Sequence, residues 1–266
     1  MNLIGLVKGI LAYRGFIIGS VKREFQATYR NSMLGATWRL LNPLAMIIVY
    51  TTIFSQVMHA KLPGTDSDYA YSIYLCAGIL TWGLFTEIMA RSVSVFLDQA
   101  NLIKKINFPR ICLPIIILIS AGINFLIIFG IFILFLLISG NLPGLALFAI
   151  LPVLAIQTLL AIGLGTTLGV LNVFFRDTGH FVNILMQFWF WLTPIVYPVS
   201  ILPEEIVPLI RLNPMLPIID AYQTILVNGQ WPHWPQLALP LGLALFFGST
   251  GYRLFRRRSS EMVDEL

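Results

Sequence analysis

Six stretches of this chain are each apolar for about the length of a membrane-crossing helix, and no long hydrophilic block remains between them. They run over about 34–58, 72–97, 111–139, 145–174, 181–199 and 236–255. A helix needs about 20 apolar residues to cross the hydrocarbon of a bilayer. Charged residues make up 11% of the 266, where a soluble domain carries about 25%. Lipid is therefore the main solvent. The expected fold is all-α and integral to the membrane, a single domain over residues 1–266. It has six transmembrane helices, an amphipathic interfacial helix within about 3–32, and short re-entrant helices between spans five and six.

The apolar pieces before the first span, Leu3 to Leu11 and Phe16 to Val21, are short and are broken by Lys8 and Arg14. They do not read as a cleaved signal peptide, and Met1 is expected to stay. Lys and Arg in short loops orient a membrane protein, because they stay on the cytoplasmic side. Lys8, Arg14, Lys22, Arg23, Arg30 and Arg39 lie before or at the start of the first span, Lys104, Lys105 and Arg110 lie between spans two and three, and Arg176 follows span four. Arg253, Arg256, Arg257 and Arg258 close the chain. The other side has only Lys61 and Arg211, among Asp66, Asp68, Glu204, Glu205 and Asp220. Both termini are expected in the cytoplasm. The net charge of +5 is thus a topology and membrane-surface signal; no nucleic-acid face is evident. Cys76 and Cys112 fall at opposite ends of the bilayer, so no disulfide is expected, and His59, His180 and His233 are too scattered to hold a metal.

Several segments carry chemistry. Between Ile17 and Arg30 an amphipathic helix places Ile17, Ile18, Val21, Phe25 and Tyr29 on one face and Lys22, Arg23, Gln26 and Arg30 on the other. It is either an anchor in the headgroup plane or a collar guiding an anionic lipid-linked substrate. The loop from Asp98 to Arg110 is either a docking element or a plain solvated connection. Ala161, Gly165 and Gly169 in span four recur every four residues, which lets helix backbones approach closely. Glu87 and Arg91, four apart within span two, are expected to form a structural ion pair; a proton relay, the other reading, lacks further acidic partners within the spans.

Span five puts Phe188, Trp189, Phe190 and Trp191 in succession, with Tyr197 following. Four successive helical positions sweep about 300°, so they cannot share a face. A polar stripe does recur at helical spacing: His180, Asn183, Gln187, then Trp191. Rings stack on sugars and amides hydrogen-bond hydroxyls, so this face suits a glycan passage. It equally suits an interfacial aromatic belt with interhelical amide bonds. From Tyr197 to Trp234 the chain is rich in proline yet apolar. Two short helices, about 203–211 and 215–227, are expected to dip into the outer leaflet, as an exit cap or an external lid.

No lysine is followed by Ser or Thr, so the chain has no phosphate-cradling loop of its own. Nor does it carry His-Glu-x-x-His or Gly-x-Ser-x-Gly. Glu204 and Glu205 have no histidine cluster to complete a protease. An enzyme is not expected.

Four motifs then converge. Lys22-Arg-Glu-Phe25, Tyr29-Arg30, Leu34-Gly35, Trp38 and Leu41-Asn-Pro43 lead into span one, and Asn107-Phe-Pro-Arg110 precedes span three. Asn172-Val-Phe-Phe-Arg-Asp177 follows span four, and Leu192-Thr-Pro-Ile-Val-Tyr-Pro198 lies in span five. In this order the chain resembles, over essentially its whole length, the permeases of bacterial ABC-type polysaccharide and polyol-phosphate exporters. The resemblance implies a homodimer in the bacterial inner membrane, paired with two copies of a separate subunit that binds ATP and Mg. It implies lipid-linked O-antigen, capsule or teichoic acid as substrate, with O-antigen first. It places Lys22, Arg23, Tyr29 and Arg30 at the cytoplasmic mouth, and the segment with Asn101, Lys104, Lys105, Phe108 and Arg110 against the ATPase. The channel candidates, Asn183, Gln187, Trp189, Trp191 and Tyr197, follow from periodicity and not from the family. A permease for a drug or another lipid, or an ATP-independent channel or secondary carrier, is the alternative. Glu87, alone among acidic residues well inside a span, disfavours the carrier.

Overall fold

The computed structural model describes residues 11–29, 37–53, 69–105, 111–258 and 261–265. Among them the chain is helical, with no strand. An interfacial helix α1 (Arg14–Tyr29) is followed by α2 (Trp38–Tyr50), whose helical path continues to Ile53. Next come α3 (Ala70–Asp98), the short α4 (Ala100–Lys105) and α5 (Cys112–Ile138). A 3-10 turn, Gly144–Ala149, leads into α6 (Ile150–Phe174), and α7 (Asp177–Trp191) follows after a tight connection. The segment after α7 holds α8 (Val207–Ile210) and α9 (Met215–Asn228). The turn Trp234–Leu237 then starts α10 (Ala238–Arg258), and α11 (Glu261–Glu265) ends the described chain.

Four helical runs are long and apolar enough to cross a bilayer: Ala70–Asp98, Cys112–Ile138, Gly144–Phe174 and Trp234–Arg258. They coincide with expected spans two, three, four and six. The helices in the places of spans one and five are shorter. Span five was expected over 181–199, but its helix starts at Asp177 and stops at Trp191. Its 15 residues rise only about 22 Å, against about 30 Å of hydrocarbon. Pro194 explains the stop: inside a helix it would lose a hydrogen bond and press its ring on the carbonyl of Phe190. It also turns Thr193 away from helical geometry. Between α7 and α10 the expected helix at 203–211 is a single turn, while that at 215–227 forms as α9. The part of span one beyond Ile53 lies outside the described residues.

The core is a three-helix sandwich, with α6 between α3 and α10. Small residues make this contact possible. A Cβ on Gly165 would lie 2.5 Å from the Cβ of Ser92 in α3, and Gly169 is held against the Ser92 carbonyl. The expected stripe of Ala161, Gly165 and Gly169 is thus the seam to α3. A second stripe, which the sequence pattern did not reveal, faces α10. A Cβ on Gly163 would lie 2.7 Å from the Gly248 nitrogen, and one on Gly251 would lie 2.8 Å from Thr167 Oγ1. Buried amides staple the seams: Gln157 Nε2 donates to the Thr81 carbonyl at 2.7 Å, and Asn172 Nδ2 to that of Val93 at 3.0 Å. Asn172 Oδ1 also accepts from the Gly179 amide at 2.9 Å, fixing the first turn of α7. The α5 helix keeps Leu126, Leu134, Leu137 and Ile138 exposed, as a lipid-facing helix must. It ends at Gly140, φ +72°, where the Asn141 amide bonds back to Leu136; glycine tolerates this left-handed cap. Cys76 and Cys112 are buried and free.

Candidate functional site

At the N-terminal end of the described chain, α1 lays Ile17 and Val21 onto the core and leaves Lys22, Arg23 and Gln26 exposed. Ile18, expected on the same apolar face, is 65% exposed. Tyr29 is the last residue of α1, and its side chain lies outside the description, as does Arg30 altogether. The Glu87–Arg91 pair forms, with Arg91 Nη1 3.5 Å from Glu87 Oε1. It is part of a larger cluster. Arg91 Nη2 lies 2.6 Å from Glu24 Oε1, which ties α1 to α3. Ser120 Oγ donates to Glu24 Oε2 and Asn124 Nδ2 to Glu87 Oε2, each at 2.9 Å, which adds α5. Glu24 is a residue that pattern reading passed over. Its signal was being the only acid in a basic helix. A cavity of about 410 Å³ opens beside this cluster, between α1, α3, α4 and α5.

Along α7 the stripe of His180, Asn183, Gln187 and Trp191 is exposed. Among the described residues the side chains of Asn183 and Gln187 make no hydrogen bond. Gln187 and Trp191 line a groove of about 390 Å³ together with Trp82, Thr86, Met186 and Phe190. The aromatic run splits as the helical sweep requires. Phe188 and Trp191 point outward, each 64% exposed. Trp189 turns inward and meets the ring edges of Trp82 and Phe85 at 6.1 and 5.4 Å. Its Nε1–H donates to Asn213 Oδ1 at 2.8 Å. Gln187 and Trp191 are therefore brought together, while Trp189 sits behind them as packing. Half-buried Tyr197 closes the same end, its hydroxyl donating to the Trp191 carbonyl at 2.7 Å.

The chain from Leu192 to Pro198 has left the helix and needs other partners for its carbonyls, since lipid supplies none. Tyr71 Oη donates to Val196 O at 2.8 Å, and Tyr74 Oη to Tyr197 O at 3.0 Å. Asn213 Nδ2 donates to Thr193 Oγ1 at 2.8 Å, while Asn213 Oδ1 accepts from the Met215 amide at 3.0 Å. Tyr71, Tyr74 and Asn213 thus hold the broken end of span five. In α9, burial raises the Asp220 carboxyl above the usual range, partly offset by His233.

In α4, Leu102 and Ile103 pack inward, whereas Asn101 and Lys104 are exposed. Lys105 ends the helix, and its side chain is outside the description; Phe108 and Arg110 lie outside the described residues. The C-terminal α11 packs near α4 and α6, with Met262 1% exposed. Among the described residues no three His, Cys, Asp or Glu side chains gather as metal ligands.

Residues 17–227, from the first turn of α1 to the end of α9, match the family model described as ABC-2 type transporter. Two curated proteins named O-antigen export system permease protein RfbA are similar to the chain. The one from Myxococcus xanthus is 28% identical over 266 residues, 99% of this chain and all of the relative. One from Klebsiella pneumoniae is 31% identical over 208 residues, 78% of each. The polysialic acid transport protein KpsM of Escherichia coli is 22% identical over 245 residues, 91% of this chain and 92% of the relative.

Proposed function

This chain belongs to the ABC-2 type transporter family, and from that premise we propose that it is the permease subunit of an ABC exporter for lipid-linked polysaccharide, O-antigen first. The observation that carries this reading is the exposed face of α7. Gln187 and Trp191 share a groove of about 390 Å³, and the amides of Asn183 and Gln187 are left without internal partners. An unpaired amide facing lipid is costly. Facing a passage for a hydroxyl-rich chain, it has partners at every sugar. An indole beside it offers a flat, sequence-tolerant stacking surface that holds each unit weakly and lets it slide. Closing that face against the same face of a second copy makes a passage out of two half-walls, which is why the working form is a homodimer. Relatives named for O-antigen export and for polysialic acid transport support a glycan over a drug.

The energy comes from ATP hydrolysed, with Mg, on a separate cytoplasmic subunit, two copies per dimer. The exposed Asn101 and Lys104 of α4, with Lys105, Phe108 and Arg110 beyond, form the coupling surface. Because α4 follows α3 after a single residue, a push there moves α3 along its seam with α6. Lys22, with Tyr29 and Arg30, receives the phosphorylated head of the carrier lipid at the inner membrane's cytoplasmic face, beside Arg23. The chain itself is a transport subunit and not an enzyme. The test is a Gln187→Ala, Trp191→Ala double variant. It should impair glycan export while the ATP-binding subunit still assembles and hydrolyses ATP. Wild-type surface glycan in that strain removes the α7 face from the path.

A further inference from the structure

The cavity of about 410 Å³ at the cytoplasmic end has walls of unlike character. One wall is apolar: Phe16 of α1, Leu102 of α4, and Leu113 and Ile116 of α5. Among the described residues the polar rim has two cations and two anions, Arg23, Arg91, Glu24 and Asp98. Arg91 and Glu24 are engaged with each other at 2.6 Å. The other two are not. Arg23 Nη2 donates to the neutral Ser20 Oγ at 2.8 Å, and Asp98 Oδ2 accepts from the neutral Ser94 Oγ at 2.6 Å. Among the described residues neither has an oppositely charged partner. Among the described residues, one guanidinium and one carboxylate without a counter-charge therefore share the rim of an amphipathic cavity between α1 and α3.

We propose that this cavity binds one phospholipid with a zwitterionic, amine-bearing headgroup, a phosphoethanolamine lipid. The phosphate takes Arg23, whose planar fork suits its oxygens. The ammonium takes Asp98, and the glycerol and upper acyl carbons lie on Phe16, Leu102, Leu113 and Ile116. The charges select the headgroup. Among the described rim groups two cations face two anions, so a purely anionic ligand, whether phosphatidylglycerol or the pyrophosphate of a carrier lipid, gains from Arg23 and Arg91 but is repelled by Asp98 and Glu24. The apolar wall selects a lipid over a soluble phosphoethanolamine. The bound lipid joins α1 to the α3–α4 corner and so stiffens the mouth. This inference does not depend on which polymer is exported.

The test is native mass spectrometry of the purified protein, carrying its ATP-binding subunit if it co-purifies, titrated with phosphatidylethanolamine and with phosphatidylglycerol. Wild type should retain phosphatidylethanolamine in preference. Asp98→Asn, which keeps the shape and a hydrogen bond to Ser94, should lose that preference by about tenfold, the worth of one charge-assisted hydrogen bond, while phosphatidylglycerol binding holds or rises. Arg23→Gln should weaken both lipids. Soluble phosphoethanolamine at millimolar concentration should not displace the lipid. Equal affinity for the two lipids in wild type, or no change in preference in Asp98→Asn, overturns the proposal. Displacement by soluble phosphoethanolamine overturns its lipid part. Both substituted residues are exposed helix positions, and unchanged melting temperatures will show the variants folded.

Discussion

Replacing Gly165 by alanine should destabilise the protein, although alanine favours a helix by about 1 kcal/mol over glycine. The added methyl would stand 2.5 Å from Ser92 Cβ and 3.1 Å from Ser92 Oγ. Carbon atoms rest about 3.5–4.0 Å apart, so α3 and α6 would have to separate by roughly 1 Å. The obstacle is a Cβ fixed to a helix backbone, not the free end of a long side chain, so no rotamer change relieves it. Overpacking of this kind costs about 1–3 kcal/mol, which outweighs or offsets the gain in helix propensity. Gly122 of α5 supplies the control, because nothing lies within 4 Å of its added methyl. Melting in one detergent, followed by tryptophan fluorescence, should place Gly165→Ala below wild type and Gly122→Ala at or above it. Adding Ser92→Gly to Gly165→Ala removes the opposing Cβ and should recover part of the loss, a coupling that distant sites do not show. A Gly165→Ala protein that melts with Gly122→Ala would refute the close seam.

Other perturbations test the remaining joints. Arg91→Leu takes the shared guanidinium away from Glu24 and Glu87; breaking a buried pair costs about 3–5 kcal/mol, and the partial exposure of these groups (28% to 38%) lowers that to about 1–3. A melt should show it, and adding Glu24→Gln should restore part. Asn213→Leu leaves the Trp189 indole N–H and the Met215 amide without their acceptor, each orphan costing about 1–3 kcal/mol. It should melt lower and shift tryptophan emission, whereas Asn213→Asp, which keeps an acceptor, should be milder. Charge reversal of Lys104 and Lys105 to glutamate should weaken ATPase coupling; unaltered ATPase stimulation and export would argue against docking there.

Hydropathy located α3, α5, α6 and α10 to within a few residues of most ends, because a run of Leu, Ile and Phe without charges has one stable answer in lipid. It misjudged span five for a physical reason. A window average counts Pro194 and Pro198 as mildly apolar residues, while the backbone meets them as lost donors. Local spacing found the Gly165 seam and the Glu87–Arg91 pair, since both partners or all members lie on one helix face. It missed Glu24, whose partner Arg91 is far along the chain, and it missed Tyr71, Tyr74 and Asn213, which matter only because the chain at Leu192–Pro198 stops being helical. The α7 stripe was legible as a face; that Trp189 turns from it into the rings of Trp82 and Phe85 depended on packing that no single-helix pattern contains.

Polysaccharide export by this chain is tested most directly by deleting its gene in the host and fractionating the cell's glycan, with a plasmid copy to restore the phenotype. Export predicts loss of one polymer from the surface, its lipid-linked form accumulating on the cytoplasmic side, and recovery with the plasmid. Unchanged surface glycan with no internal accumulation, in a strain holding no second copy of the gene, would contradict it.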